Sequence, residues 1–172
     1  MKARRSVLRS FDQSLPMALL RAREATMRRF RPILAEHDLT EQQWRVLRAL
    51  AAHDADVDND DDAEDGLEVS QLADSTFLLG PSLSRILTNL ERRALITRGI
   101  SSTDRRRADI AITAAGCRLV EQIAPASEHE YGAIESTLGA DRLAELLHIL
   151  HELEGSAPIS ARDRLRPSLR SA

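Results

Sequence analysis

With 172 residues, 42% of them hydrophobic and 3% aromatic, the chain is long enough for one domain with a real core. A single cysteine excludes a disulfide framework, no apolar run approaches membrane-spanning length, and the basic N-terminus lacks the hydrophobic centre of a signal peptide, so a soluble cytoplasmic protein without membrane association is expected. The net charge of −3 misleads, because residues 54–65 (DADVDNDDDAED) hold eight of the 27 acids, and without them 24 basic groups face 19 acidic ones, a balance of +5.

Residues 1–12 carry Lys2, Arg4, Arg5 and Arg9 and read as a disordered basic arm. The first helix starts at Ser14, an N-cap residue, with Pro16 in its first turn. Its apolar stripe is Leu15, Leu19, Ala22, Thr26, Phe30 and Ile33, and Pro32 is expected to kink it or shift its axis. Arg21, Arg23, Arg28, Arg29 and Arg31 are more cations than solubility requires, so at least one is expected to face an anion or a carboxylate.

Thr40-Glu41-Gln42-Gln43 forms a capping box and opens a second helix to about His53, with Trp44, Leu47, Leu50 and Ala51 on the core side. In residues 54–65 the spacing of Asp54, Asp56, Asp58, Asp60, Asp62 and Asp65 matches a calcium loop in outline. Asn59 stands at the sharp-turn glycine, however, and Asp65 at the bidentate glutamate, so a solvated acidic insertion is the better reading and no metal is assigned. Residues 67–69 can add a short strand.

Residues 69–76 read as a short helix and 77–80 as a turn. A second helix opens at Gly80-Pro81, where the missing proline N–H costs nothing. Leu83, Ile86, Leu87 and Leu90 fall on its buried face, while Ser84, Arg85, Thr88, Asn89 and Arg92 face outward, types that reach base edges and phosphates. With Pro81 and Ser82 at its start, this is a helix-turn-helix candidate. Residues 96–101 and 108–113 can pair as strands, with Ile110 and Ile112 pointing inward. Between them Asp104, Arg105, Arg106 and Arg107 make a basic hairpin tip, a wing suited to a narrow minor groove. A polar helix face alone would be ordinary solvated surface; the basic hairpin beside it turns the reading to double-stranded DNA.

Thr113 is expected to cap a long helix to about Thr137, bent at Pro125, and Gly139 to start a last helix to about Glu154. There Leu143, Leu146, Leu147, Leu150 and Leu153 form a stripe too wide for a monomer's surface. Residues 155–172 read as a disordered tail. Cys117 is read as a small structural side chain, with a thiol sensor as the alternative. His148 and His151, at i and i+3, are the one ligand-spaced histidine pair, and without a phosphate loop or a Ser-His-Asp set no catalytic residue and no cofactor is assigned.

The order of elements, an all-α chain with a small β-wing, resembles the multiple-antibiotic-resistance-regulator (MarR) family of winged helix-turn-helix repressors, whose Asp-x-Arg wing motif stands here as Asp104-Arg105-Arg106. SLPMALLRAREATMRRFRPILAEHDLTEQQWRVLRAL (residues 14–50) and LLGPSLSRILTNLERRALI (residues 78–96) look like the branch that represses homoprotocatechuate (4-hydroxyphenylacetate) degradation. The resemblance implies an obligate homodimer, with residues 13–38 and 113–154 as dimerisation helices and residues 39–112 as the DNA-binding lobe. It also implies operator DNA and a small aromatic carboxylate as partners, the acid lying near Trp44 and met by Arg23 or Arg45, with His37 as a hydrogen-bonding neighbour. The alternatives within the same fold are a response to oxidation at Cys117 or to broad hydrophobic compounds.

Overall fold

The computed structural model of the chain describes residues 10–57, 66–100 and 108–156. A single 3-10 turn (Phe11–Gln13) leads into α1 (Leu15–Glu36) and α2 (Glu41–Val57). Then come β1 (Leu67–Glu68), α3 (Val69–Thr76), α4 (Gly80–Arg92), β2 (Ile96–Ile100), β3 (Ala108–Ile112), α5 (Ala114–Leu138) and α6 (Ala140–Ser156). This is the predicted order of a winged helix-turn-helix, helical with one small sheet. The chain forms two compact units, divided between Glu130 and Tyr131.

The first unit is built on leucine spacing. Leu83, Leu87 and Leu90 of α4 fall on one face and are at most 1% exposed. They join Leu47 and Leu50 of α2, Leu72 of α3 and Ile123 of α5 in one core. Ile96, Ile110 and Ile112 close that core from the sheet. The strand order is β1-β3-β2, all antiparallel, with Leu67 opposite Ile110 and Ile96 opposite Ile112. Alternation along β3 therefore sends both of its isoleucines inward, as predicted.

Three helices stop in the same way. At the ends of α1, α3 and α4 the residues Asp38, Phe77 and Ala94 have φ of 54°, 52° and 54°, the left-handed region. Leu39, Leu78 and Leu95 follow, and their amides reach back to the carbonyls of Leu34, Ala73 and Leu90 at 2.9, 3.2 and 3.0 Å. The amides of Asp38, Phe77 and Ala94 close the inner bonds to Ala35, Asp74 and Glu91. Each end is thus a Schellman motif that satisfies orphan carbonyls and turns a leucine back onto the protein. None uses glycine, the usual residue there, which hid these stops from the sequence.

Thr113 caps α5 as expected: its Oγ1 accepts from the Gly116 amide at 3.1 Å and donates to the Ala94 carbonyl at 2.8 Å. That bond joins the start of α5 to the stop of α4. The junction is close enough that a Cβ on Gly116 would stand 2.3 Å from the Leu95 oxygen.

Some expectations change. Helix α2 runs to Val57 rather than His53, so the first residues of the acidic stretch are helical and not arranged as a cation loop. Ser14 stands at the start of α1, but its side chain makes no capping bond. On α1 the buried residues are Phe30 and Leu34, while Leu15 and Leu19 are exposed. The predicted stripe is thus covered only at its C-terminal end, and Leu34 was not in it. Residues 1–9, which hold the basic groups of the arm, and the wing tip, with Asp104, Arg105, Arg106 and Arg107, lie outside the described residues, as do residues 58–65 and 157–172, while Phe11 and Asp12 of the expected arm lie in the 3-10 turn and Gly155 and Ser156 of the expected tail in α6.

In the second unit α6 has no buried residue, and Leu146, Leu147, Ile149 and Leu153 are 39–50% exposed. Among the described residues no helix is long and apolar enough to cross a membrane.

Candidate nucleic-acid interface

Helix α3, the turn at Phe77 and helix α4 form the helix-turn-helix. Burying Leu83, Leu87 and Leu90 forces the intervening positions outward, so Ser84, Arg85, Thr88, Asn89 and Arg92 line one open groove. Pro81 and Ser82 are exposed at its start. Among the described residues neither Arg85 nor Arg92 forms an ion pair, and both are exposed, which suits cations meant for phosphate or base edges.

The other groove residues are held from behind. The Thr88 hydroxyl donates to the Ser84 carbonyl at 2.9 Å and accepts from Arg98 Nη2 at 3.1 Å. Arg98, on β2, also pairs with Glu91 at 2.9 Å. One strand arginine therefore ties the wing's root to two positions of α4. Asn89 is half-buried, and its Oδ1 accepts from Gln43 Nε2 at 2.8 Å. Gln43 is the last residue of the predicted capping box, three after Thr40, and both bonds of that box form: Thr40 N–H donates to Gln43 Oε1 at 2.8 Å and Gln43 N–H to Thr40 Oγ1 at 3.2 Å. Neither Arg98 nor Gln43 was singled out for the DNA face. Arg98 stands two residues after the buried Ile96 and opposite the inward Ile110, so strand alternation places it on the core-facing side and gives no signal of a DNA contact, and Gln43 is fully accounted for locally as a cap.

The four residues expected at an effector site fall around the start of α2. Arg23 Nη2 donates to Glu41 Oε2 at 2.5 Å. Arg31 Nε donates to the other Glu41 oxygen, while its two terminal nitrogens grip Glu24 at 2.6 and 2.7 Å. Arg28 lies 3.9 Å from Glu24. An arginine of α1 thus faces a carboxylate, as anticipated, and Arg31, not named for the site, is the most engaged. Hydrogen bonds from Arg31 hold the Glu24 carboxyl below the usual range. At Glu41 burial acts the other way, but the bonds from Arg31 and Arg23 prevail and its pKa is also lowered.

Trp44 packs partly against the core, with Arg48 over its ring at 5.7 Å. Arg45 Nη1 donates to the Thr76 carbonyl at 2.6 Å, capping the end of α3. The carbonyls of His37 and Asp38 accept from Arg93 at 3.0 and 2.8 Å, so Arg93 caps α1 from the end of α4. Both arginines place positive charge on a helix C-terminus, where the dipole favours it. Cys117 sits with its sulfur 3.8 Å from Asp54, and burial, then the Asp54 charge, pushes the thiol pKa up. That disfavours the thiolate a sensor needs. His148 lies 3.6 Å from Glu152 on α6, and no group of metal-binding side chains assembles among the described residues.

A MarR-family model matches residues 37–107, from the end of α1 to the residue before β3. The HTH-type transcriptional regulator FarR of Neisseria gonorrhoeae is 38% identical over 140 residues, 81% of this chain and 88% of that protein. The homoprotocatechuate degradative operon repressor of Escherichia coli is 38% identical over 139 residues, 81% of this chain and 86% of its own. Among solved structures, NadR in complex with 4-hydroxyphenylacetate matches with a TM-score of 0.73 at 37% identity, covering 87% of this chain and 99% of that one. With the fold, the α4 groove and relatives of this identity and coverage in agreement, the chain belongs to the MarR family of transcriptional regulators.

Proposed function

We propose that this protein is a cytoplasmic, homodimeric repressor of an aromatic-acid catabolic operon, released from operator DNA by a small aromatic carboxylate. The observation that carries the reading is the 38% identity, over 81% of the chain, to a homoprotocatechuate degradative operon repressor, beside the likeness to NadR bound to 4-hydroxyphenylacetate. On DNA, α4 enters the major groove with Arg85 reading a base near the start of the helix and Arg92 contacting phosphate, while Asp104, Arg105, Arg106 and Arg107 form the wing on the flanking minor groove. The uncovered apolar side chains of α1 and α6 support a second copy as their cover.

The effector is assigned to the junction of α1 and α2. Three arginines, Arg23, Arg28 and Arg31, there face two carboxylates, Glu24 and Glu41, so the cluster carries surplus positive charge. An incoming carboxylate competes with Glu41 for Arg23, its ring against Trp44, with His37 and Arg45 as further polar partners. Because Glu41 is the first residue of α2, a change in its bonding reaches the helix that supports the reading face.

The test is binding to a duplex selected from a randomised library, titrated with 4-hydroxyphenylacetate. Wild type should release. Arg23→Ala should keep DNA binding and lose release, with weaker losses for Arg45→Ala and His37→Ala. Unchanged release in Arg23→Ala would move the effector site elsewhere. On the same duplex Arg85→Ala should relax one base position, and Arg92→Ala should reduce the salt slope without changing the motif.

A further inference from the structure

The hydrogen bonds from α2 to the reading helix run in one direction, and that direction has a consequence for recognition. The amide of Thr40 can only donate, so the Gln43 atom 2.8 Å away is its carbonyl oxygen. The amide group of Gln43 then faces Asn89 and can only donate as well, so Asn89 answers with Oδ1 at 2.8 Å. A backbone N–H therefore fixes the orientation of two side-chain amides in series. Asn89 also lines the groove with Ser84, Arg85, Thr88 and Arg92.

From this polarity we infer that Gln43 is a positioning residue for DNA recognition: it holds Asn89 so that its NH2 group, a donor, faces the nucleic acid. The inference rests on the reading that α4 docks on DNA. An asparagine that reads adenine bidentately must offer both its oxygen and its nitrogen. Here the oxygen is engaged by Gln43, so Asn89 selects an acceptor: a guanine or thymine carbonyl, a purine N7 or a phosphate oxygen. Thr40, Gln43 and Asn89 thereby tie the first turn of α2, where Glu41 meets Arg23 and Arg31, to the DNA face.

The variant that tests this is Gln43→Glu. Glutamate is as good as glutamine in a capping box, so α2 keeps its start. Its second oxygen can only accept, which turns Asn89 over and presents an acceptor to DNA. The full-length protein is first used to select duplexes from a randomised library, then wild type, Gln43→Glu, Asn89→Ala and the double variant are titrated on the winning duplex. Gln43→Glu should weaken binding. In the Asn89→Ala background the same change should cost only its added charge, leaving a coupling of roughly three- to tenfold, the scale of one hydrogen bond.

Repeating the selection with Gln43→Glu distinguishes the two sources of the acceptor. A motif altered at one base pair per half-site, toward cytosine N4 or adenine N6 donors, assigns a base edge. An unchanged motif with the coupling intact assigns a phosphate. Equal losses with and without Asn89, or no loss in Gln43→Glu, overturn the inference. A wild type that enriches no motif overturns the docking of α4 itself, a failure separate from any result with aromatic acids.

Discussion

Helices α4 and α6 carry much the same leucine spacing and meet opposite fates. On α4, Leu83, Leu87 and Leu90 are sealed into a core shared with α1, α2, α3, α5 and the sheet. On α6, Leu146, Leu147 and Leu153 remain 39–49% exposed and no residue is buried. The same periodicity thus gives a folding core in one place and an exposed apolar face in the other. A stripe states that a face is apolar; what covers it depends on the elements that chain connectivity brings opposite it.

The largest expected effect separates these two roles. Leu87→Ala should lower unfolding free energy by about 2–5 kcal/mol at any protein concentration, because it empties a sealed site. Leu147→Ala should leave the first unit's core intact and instead raise the dissociation constant of the proposed dimer, seen by sedimentation and as a steeper dependence of Tm on concentration. A large concentration-independent loss for Leu147→Ala would mean that α6 is covered within one chain.

Next in size is the junction between α5 and the stop of α4. Gly116→Ala places a methyl 2.3 Å from the Leu95 oxygen and 2.6 Å from Ile112 Cγ1, so the first turn of α5 must shift. The expected loss is about 1–3 kcal/mol by chemical denaturation. Gly132→Ala, in the same helix but with nothing within 4 Å of the added carbon, should be neutral or slightly stabilising. Similar losses at both positions would show that helix propensity rather than close packing governs them.

Smaller again is the strain at the helix stops. Ala94 and Phe77 hold left-handed backbone at φ of 54° and 52°. Ala94→Gly and Phe77→Gly should each relieve part of a penalty of about 1 kcal/mol and raise Tm by a few degrees. A lowered Tm for Phe77→Gly would indicate that its exposed ring has a packing role in the assembled protein.

The smallest effect lies at the α1–α2 junction. Glu24 and Glu41 both have lowered pKa values in the folded chain. Their contribution to stability is therefore present above the ordinary glutamate range, near pH 4.3, and is lost as pH falls through the depressed folded values. Arg31→Met should lower stability slightly at neutral pH and flatten its decline below about pH 4, measured by denaturation across that range. An unchanged acid limb would place the acid sensitivity elsewhere.

Much of this fold is written locally. The capping box at Thr40 and Gln43, the cap at Thr113, the leucine face of α4 and the inward isoleucines of β3 follow from spacing and side-chain chemistry, and all appear where expected. So does the groove of Ser84, Arg85, Thr88, Asn89 and Arg92, because a helix that buries one face must present the other. What the tertiary structure alone decided is which polar side chains are already engaged. Arg98 reaches Thr88 across ten positions, Gln43 reaches Asn89 across 46, and Arg93 reaches His37 across 56. No local pattern encodes such partners, since a guanidinium or amide finds its acceptor through the packing of separate helices. The choice of Glu41, rather than Glu24 or Glu36, to meet Arg23 belongs to the same class, because α1 and α2 must first cross before their charges can pair.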